Sequence, residues 1–161
     1  MALPSPELEL DATYAEISNW FFEDYLARYI TAVGSSNDPS FIAEYWAAPL
    51  WVGSDDGPVV LLRTVEEVIG LFKATFDRLQ GAGYTHTAVL DHRIVIFNRH
   101  SAAVDVIWSR RRVDESEIER LAVHFVIGRR EDGLRAVAIE AACTASDSLD
   151  ANWPVHRGGA Q

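Results

Sequence analysis

One glutamate lies in an alternating stretch of small and apolar residues near the end of the chain. Glu140 comes seven residues after Gly133, and Ala138 and Ala142 would share its face of a β-strand. These small neighbours would leave room for a ligand beside the carboxyl group. Burial in such a pocket would raise the pKa of Glu140 into the range that is useful for general acid–base catalysis. The opposite strand phase would turn Glu140 toward solvent, and the alternation alone does not choose between the two.

A second carboxylate, Asp105, lies within an apolar strand pattern. The alternation of Val104, Val106 and Trp108 turns Asp105 away from the core, and burial of an unpaired carboxylate is costly. A register counted from Asn98 turns it into the pocket instead. Asp105 is therefore a candidate catalytic residue with two open orientations.

Tyr25 could donate a hydrogen bond to a substrate oxygen and stabilise developing negative charge there. A tyrosine on a helix also commonly packs in the core, with its hydroxyl at water. The large aromatic residues Trp46, Trp51 and Phe125 are predicted to form apolar walls for a substrate, together with the two alanines beside the glutamate. They would suit plain core packing equally well.

The pattern of potential ligands argues against a bound metal. His86 and His92 share a strand phase but are six residues apart, about 20 Å along a strand, so they cannot bind one ion. The single cysteine, Cys143, has no histidine nearby in sequence and is interpreted as a small core residue. Gly81 and Gly83 follow a predicted helix, whereas a phosphate-binding loop precedes one. We expect no metal, nucleotide or other cofactor.

A short basic run, Arg110 to Arg112, interrupts an acidic chain. Such a run could bind a phosphate or carboxylate partner. The alternative is a solvated hairpin end that pairs with Glu115, Glu117 and Glu119.

The elements that position these residues begin with helices. Asp11 can cap a first helix that runs to about Val33, where Gly34 ends it. Pro39 is placed to open a short second helix, and Pro49 is predicted to end it.

A third helix is predicted to begin at Thr64, where Glu67 completes a capping-box pattern. After Tyr84 the hydrophobic period changes to that of strands. The predicted strands span residues 50–52, 59–62, 84–97, 101–113, 118–129 and 134–143. Short connections between the last four strands predict antiparallel hairpins. The order predicts an α+β fold, in which three N-terminal helices pack in a curved, mainly antiparallel sheet that forms a cone.

Composition limits the function further. The chain has 161 residues, with 14 basic and 24 acidic side chains and a formal net charge of −10. We expect a flexible arm over residues 1–10, one domain over residues 11–143 and a tail over residues 144–161. The acidic balance argues against nucleic-acid binding. No apolar run approaches the roughly 18–20 residues of a membrane span. With no secretory pattern at the start, we expect a cytoplasmic protein without membrane contact.

The order of elements and three segments resemble the nuclear transport factor 2-like (NTF2-like) superfamily, which includes ketosteroid isomerases, SnoaL-like polyketide cyclases and scytalone dehydratase. The segments are Tyr-Leu-Ala-Arg-Tyr at 25–29, Tyr-Trp-Ala-Ala-Pro at 45–49 and the hairpin at 130–135. The resemblance covers residues 12–143 and is strongest for a small, mostly uncharacterised bacterial branch. It implies a cystatin-like cone, and it is weak for chemistry because this fold carries many activities.

Comparison with the ketosteroid isomerases is informative where it fails. Their helix-one tyrosine, an oxyanion donor, falls on Tyr25. Their catalytic base falls on Gly53 and their second oxyanion donor on Phe125, so the isomerase activity itself is excluded. In that family the strand phase of Glu140 points into the pocket. The resemblance therefore implies that Tyr25 would polarise a carbonyl and Glu140 would move a proton.

These observations predict a cofactor-free enzyme of the isomerase, dehydratase or cyclase type, which would transfer a proton on a small, hydrophobic, oxygenated compound. The alternatives are a non-catalytic ligand-binding protein and a dimeric interaction module on the same fold. Apolar residues in both phases of the long strands also predict a homodimer through the sheet face that the helices leave uncovered.

Overall fold

The first helical stretch is longer than the sequence predicts. The computed structural model describes residues 6–153 and 158–159. The stretch consists of α1 (Pro6–Ser18), a π-helical segment (Asn19–Tyr25), α2 (Leu26–Thr31) and a second π-helical segment (Ala32–Ser36). Its end is at Asn37, which has a φ of 48° and donates its N–H to the carbonyl of Ala32 at 2.8 Å. The boundaries predicted at Asp11 and Gly34 are wrong, because Asn37 supplies the left-handed residue that ends the helix.

The buried face of this stretch follows the spacing of a helix. Ile17, Phe21, Tyr25 and Tyr29 recur every four residues, and each is at most 4% exposed. Side chains at that spacing lie one above another on one face, so the stretch presents a continuous aromatic and aliphatic stripe to the core.

The second helix is shorter than the sequence predicts. A 3-10 helix (Pro39–Glu44) begins after Asp38, whose carboxylate accepts a hydrogen bond from the N–H of Ser40 at 2.9 Å. Strand β1 (Trp46–Ser54) follows at once. Pro49 therefore lies inside a strand, after a cis peptide bond, and does not end the helix. The pairing of β1 with its neighbour is irregular there, because proline has no N–H to donate.

After strand β2 (Gly57–Leu62), helix α3 (Val65–Gly81) begins as predicted. The N–H of Glu67 donates to the Thr64 hydroxyl, and the N–H of Thr64 donates to the Glu67 carboxylate, both at 3.2 Å. The capping box is confirmed. The helix packs through Phe72, Phe76 and Leu79.

The remaining strands form the predicted meander. They are β3 (His86–Asn98), β4 (Ser101–Arg111), β5 (Glu117–Arg130) and β6 (Gly133–Cys143). The sheet order is β2-β1-β6-β5-β4-β3, and all neighbours are antiparallel except β1 and β6. The predicted α+β cone with a mainly antiparallel sheet is confirmed.

The sheet has two faces, and both are partly covered. The inner face, which includes Val104, Val106 and Trp108, packs against the helices. On the outer face, Leu149 from a short 3-10 helix (Leu149–Ala151) packs with Ile107 and Ala122 and is 4% exposed. The first part of the predicted tail is therefore bound to the sheet.

Candidate functional site

Tyr25 lies in the aromatic core inside the cone and is 2% exposed. The centroid of its ring is 5.3 Å from that of Tyr45 and 6.0 Å from those of Tyr29 and Trp46. Burial raises the pKa of Tyr25 well above its ordinary value, and the neighbouring phenol of Tyr29 adds to the rise. The hydroxyl therefore stays protonated and can act as a hydrogen-bond donor.

Glu140 lies on the outer face, on the opposite side of the sheet from Tyr25. It pairs across the strands with His124, and the indole N–H of Trp51 donates to its Oε1 at 2.5 Å. A β-carbon on Gly53 would overlap the Glu140 carboxylate, so the glycine leaves space for it. The prediction that Tyr25 and Glu140 converge in one pocket is wrong.

A β-bulge in β6 accounts for this error. The successive residues Val126 and Ile127 pair with Ala138 and Ala136, which leaves Val137 as an extra residue. One extra residue turns every following side chain to the other face of the sheet. A count along β6 that omits the bulge therefore places its second half on the wrong face.

Asp105 also lies on the outer face and is 3% exposed. Arg93 donates to its Oδ2 from Nε at 3.0 Å and from Nη2 at 2.8 Å, and His124 Nδ1 lies 2.5 Å from its Oδ1. Burial alone would raise the pKa of Asp105, but the hydrogen bonds from His124 and Arg93 outweigh it and lower the pKa. The orientation predicted from the apolar alternation is confirmed, and the register counted from Asn98 is wrong.

The predicted wall residues divide between the two faces. Trp46 and Phe125 lie inside the cone, 3% and 1% exposed, with their ring centroids 5.6 Å apart. Trp51 is 47% exposed on the outer face, and Ala138 and Ala142 lie on that face as well. The interior of the cone is filled by aromatic side chains: Phe21, Tyr25, Tyr29, Trp46, Phe72, Phe76, Trp108 and Phe125.

Four buried polar groups in this interior find no hydrogen-bond partner in the described part of the chain. They are the hydroxyl of Tyr29, the indole N–H groups of Trp46 and Trp108, and the Nε–H of Arg110. All four can donate a hydrogen bond. Buried polar groups are nearly always paired in folded proteins, so a set of unpaired donors indicates a place for an acceptor.

Arg110 lies against two of these side chains, Tyr29 and Trp108, and connects them to Glu119. Its guanidinium carbon lies 5.7 Å from the ring centroid of Tyr29 and 5.9 Å from that of Trp108. Its Nη1 donates to Glu119 Oε1 at 2.6 Å. The pairing with Glu119 is confirmed, but Arg110 is 7% exposed and does not belong to a solvated hairpin end. Its position in β4, two residues after the inward-facing Trp108, turns it inward.

A cavity of about 360 Å³ lies where the inner face meets the β1–β2 turn and α3. We call it the mouth of the cone. Leu121, Ala141 and Cys143 line it on the sheet side, and Arg78 and Glu119 line it on the side of the helix. Arg78 donates from both terminal nitrogens to the Glu119 carboxylate, at 2.9 and 3.0 Å. Cys143 is exposed at the mouth, so its interpretation as a core residue is wrong.

Glu119 is the carboxylate between the mouth and the buried donors. Burial alone would raise its pKa, but the hydrogen bonds and charges of Arg78 and Arg110 lower it. Glu119 is therefore ionised near neutral pH and is a poor proton acceptor.

The sequence reasoning missed the combination of Arg110 with Tyr29 and Glu119. The strand phase shared by Arg110 and Trp108 is a signal for the inward orientation. Tyr29 lies on a helix and precedes Arg110 by 81 residues, and a single sequence gives no signal that the two side chains meet.

The described residues also bear on membranes and metals. Within residues 6–153 and 158–159, no helix is long and apolar enough to cross a membrane. In the same part of the chain, no group of three or more His, Cys, Asp or Glu side chains is arranged to hold a metal ion.

Several solved structures have a similar fold. An NTF2-like protein with a cystatin-like fold from Novosphingobium aromaticivorans matches with a TM-score of 0.62 and 20% identity, over 90% of each chain. Aln2 from a Streptomyces species matches with a TM-score of 0.59 and 16% identity, over 88% of this chain and 94% of that one. A protein from Catenulispora acidiphila in complex with S-DNPA matches with a TM-score of 0.56 and 15% identity, over 83% and 94%. At these identities the likeness shows the fold alone.

The curated proteins give no match to the sequence. A family profile described as NTF2-like protein (DUF6841) matches residues 15–144, which extend from α1 to the end of β6. The chain therefore belongs to the NTF2-like family DUF6841.

Proposed function

We propose that the protein binds a small apolar molecule with an acceptor oxygen, whose apolar body lies in the mouth of the cone. The observation that carries the proposal is the pair of buried donors on Tyr29 and Arg110, which have no partner within the described residues. Arg110 is bonded to Glu119 at the mouth, and the ring of Tyr29 lies against its guanidinium. An oxygen atom of the ligand would give these donors an acceptor. A buried donor without an acceptor has lost its bonds to water without a replacement. The ligand oxygen would supply that bond, and this gain in free energy would favour the bound state.

The size and lining of the mouth support a small ligand. Its volume of about 360 Å³ lies near the lower end of the roughly 300–1,000 Å³ of ligand pockets. Leu121 and Ala141 provide apolar wall, while Arg78 and Glu119 separate the mouth from Arg110. The Arg78 side chain is 54% exposed, so its ion pair can open at little cost.

The lowered pKa of Glu119, the carboxylate between the mouth and the buried donors, favours a binding function over catalysis by proton transfer. A general base works best with a pKa near the working pH, whereas Arg78 and Arg110 lower the pKa of Glu119. The proton-transfer enzyme expected from Tyr25 and Glu140 is not proposed, because the two side chains lie on opposite faces of the sheet.

Isothermal titration calorimetry with two probes of one ring system tests the proposal: 2-acetylnaphthalene, which is neutral, and 2-naphthoate, which is anionic. We expect saturable binding of at least one probe. Ala141→Leu narrows the mouth and should weaken that binding by about tenfold or more. The matched control is Ala138→Leu, which adds the same volume on the outer face and should leave the affinity unchanged. Absence of binding by both probes, or equal affinity in the two variants, would contradict the proposal.

We also propose a homodimer through the part of the outer face that residues 149–153, the C-terminal segment, leave open. Trp51 and Val95 are 47% and 40% exposed there, and Phe97 near the end of β3 is 55% exposed. Since Leu149 covers Ile107, the contact would lie beside the C-terminal segment and would not extend over the whole face. Light scattering at micromolar concentration should give twice the chain mass of 17.9 kDa, and Trp51→Glu should lower it. A single-chain mass for the unaltered protein would refute the dimer.

A further inference from the structure

We propose that the acceptor oxygen of the ligand belongs to an anionic group, a carboxylate or an equivalent oxyanion, which binds to Arg110 and Tyr29. The inference rests on the proposed function and adds the chemical class of the ligand's polar group.

The charge around Arg110 is unevenly compensated. Arg110 and Arg78 share one carboxylate, that of Glu119, so the three side chains carry two positive charges and one negative charge. The side chain of Arg110 is 8% exposed and that of Arg78 is 54% exposed. Solvent therefore compensates Arg78 far better than Arg110, and the site retains a buried positive charge although the chain carries a formal net charge of −10.

Two other carboxylates lie at the mouth, and both are exposed. Asp55 accepts a hydrogen bond from the backbone N–H of Cys143 at 2.8 Å, and Asp56 lies beside it in the β1–β2 turn. Their exposure means that water screens their repulsion of an incoming anion.

The orientation of Arg110 leaves donors for a ligand. Stacking over the rings of Tyr29 and Trp108 holds its guanidinium in place. Nη1 donates to Glu119, while Nε finds no acceptor within the described residues. The hydroxyl of Tyr29, whose ring lies against the same guanidinium, also has no acceptor there. An oxyanion that contacts both groups would accept two charge-assisted hydrogen bonds, one from the neutral Tyr29 hydroxyl and one from the guanidinium.

An anion satisfies this site better than a neutral carbonyl. Both would accept the hydrogen bonds, but only the anion would also compensate the second guanidinium. Hydrogen bonds in which the donor or the acceptor is ionised are about twice as strong as those between neutral groups, so the Tyr29 hydroxyl bonds an oxyanion more strongly than a ketone. The selectivity is therefore expected to depend on Arg110 for its charge and for its stacked, unpartnered Nε–H, and on Tyr29 for the additional donor.

A neighbouring tyrosine provides a matched control. The Tyr84 hydroxyl is 2.7 Å from the Thr87 Oγ1, so it already has a hydrogen-bond partner. Tyr84 and Tyr29 are both buried, and replacement of each by phenylalanine removes one oxygen atom and little else.

The experiment compares the affinities of 2-naphthoate and 2-acetylnaphthalene by calorimetry at about pH 7.5, where the carboxylate is ionised. We expect 2-naphthoate to bind at least about tenfold more tightly than the ketone. Tyr29→Phe and Arg110→Lys should each reduce this ratio by about fivefold or more, whereas Tyr84→Phe should leave it unchanged. Arg110→Lys keeps the charge but removes the stacked planar group and its Nε–H.

The outcomes separate this inference from the proposed function. Equal or tighter binding of the ketone would overturn the anion and leave the binding site in the mouth intact. A preference for 2-naphthoate that survives Tyr29→Phe would overturn the assignment to Tyr29, and one that survives Arg110→Lys would overturn the assignment to Arg110. Absence of binding by both probes would overturn the proposed function and this inference together. If Arg110→Lys does not fold, the inference is tested by Tyr29→Phe and Tyr84→Phe alone. A ratio of affinities that falls in neither variant, or equally in both, would overturn it.

Discussion

His124 and Asp105 form a hydrogen bond between neighbouring strands on the outer face, with 2.5 Å between Nδ1 and Oδ1. Arg93 binds the same carboxylate from β3, and Glu140 lies beside His124 on β6. The ring of Trp153 stands nearly perpendicular to the imidazole, at a centroid distance of 6.2 Å. This row of alternating charges thus connects four strands and reaches the C-terminal segment.

The row makes stability depend on pH. The hydrogen bond with Asp105 raises the pKa of His124, burial opposes the rise, and the charges of Asp105 and Glu140 add to it. A folded-state pKa above the unfolded value of about 6.5 means that the stabilisation is complete below that pH. It is lost as the pH rises through the raised pKa. The lowered pKa of Asp105 has the opposite sign, and its contribution is lost only as the pH falls below about 3.9.

We therefore expect His124→Gln to lower the free energy of unfolding at about pH 5.5 by roughly 0.5–1 kcal/mol, and by less at about pH 9. The figure is modest because the imidazole is 35% exposed, and water screens the pair. Urea denaturation at both pH values measures the effect. His100→Gln, in the exposed turn after β3, should show the pH dependence of the unaltered protein. If His124→Gln has the same pH dependence of stability as the unaltered protein, the coupling between His124 and Asp105 is refuted.

The bulge at Val137 leads to a second prediction, because it fixes which side of β6 is buried. Ile139 packs against the core, whereas its neighbour Glu140 faces outward. Ile139→Glu would bury a carboxylate among apolar side chains and should cost about 3 kcal/mol or more. Glu140→Ala removes the hydrogen bond to Trp51 and should cost about 1 kcal/mol or less. Measurement of the free energy of unfolding of both variants tests this assignment. A larger loss for Glu140→Ala than for Ile139→Glu would show that Glu140, and not Ile139, is the buried residue.

The parts of the fold that follow from local chemistry could be predicted from the sequence. The capping box of Thr64 and Glu67 is one example, and the hairpins of the meander are another, because short connections allow no other arrangement. The orientation of Asp105 followed from alternation because the pairing of β4 and β5 is regular through that part of the strand.

The rest depends on interactions between distant residues. The extra residue at Val137 has the same sequence signature as a regular strand residue, so Glu140 could not be assigned to its face. Pro49 could be read as a helix terminator because the partner strand of β1 comes almost ninety residues later. The burial of Arg110 against the ring of Tyr29 results from packing between a helix and a strand, which no local pattern encodes.

A third prediction concerns the ion pair of Arg110 and Glu119. Arg110→Met leaves Glu119 with Arg78 alone and should cost about 2–4 kcal/mol, because a buried pair is broken from one side. Glu119→Gln leaves Arg110 with its charge uncompensated and should cost a similar amount. The double variant should be more stable than the sum of the two single losses implies, by about 1 kcal/mol or more. Strict additivity in chemical denaturation would contradict a direct coupling between the two side chains.

The last prediction is that Tyr29→Phe stabilises the ligand-free protein. Its hydroxyl is buried with no acceptor in the described part of the chain, so folding removes it from water without a replacement bond. Removal of an unsatisfied buried hydroxyl should raise the free energy of unfolding by about 1 kcal/mol. Tyr84→Phe, which removes a hydroxyl already paired with Thr87, should lower it by about the same amount. Denaturation without added ligand measures both variants. Equal losses in the two would mean that the Tyr29 hydroxyl contributes to the fold and is not held for a ligand. A gain in stability for Tyr29→Phe and a loss for Tyr84→Phe, together with weaker binding of 2-naphthoate by Tyr29→Phe, would mean that the Tyr29 hydroxyl lowers stability but contributes to binding. Such a trade-off is expected at functional sites.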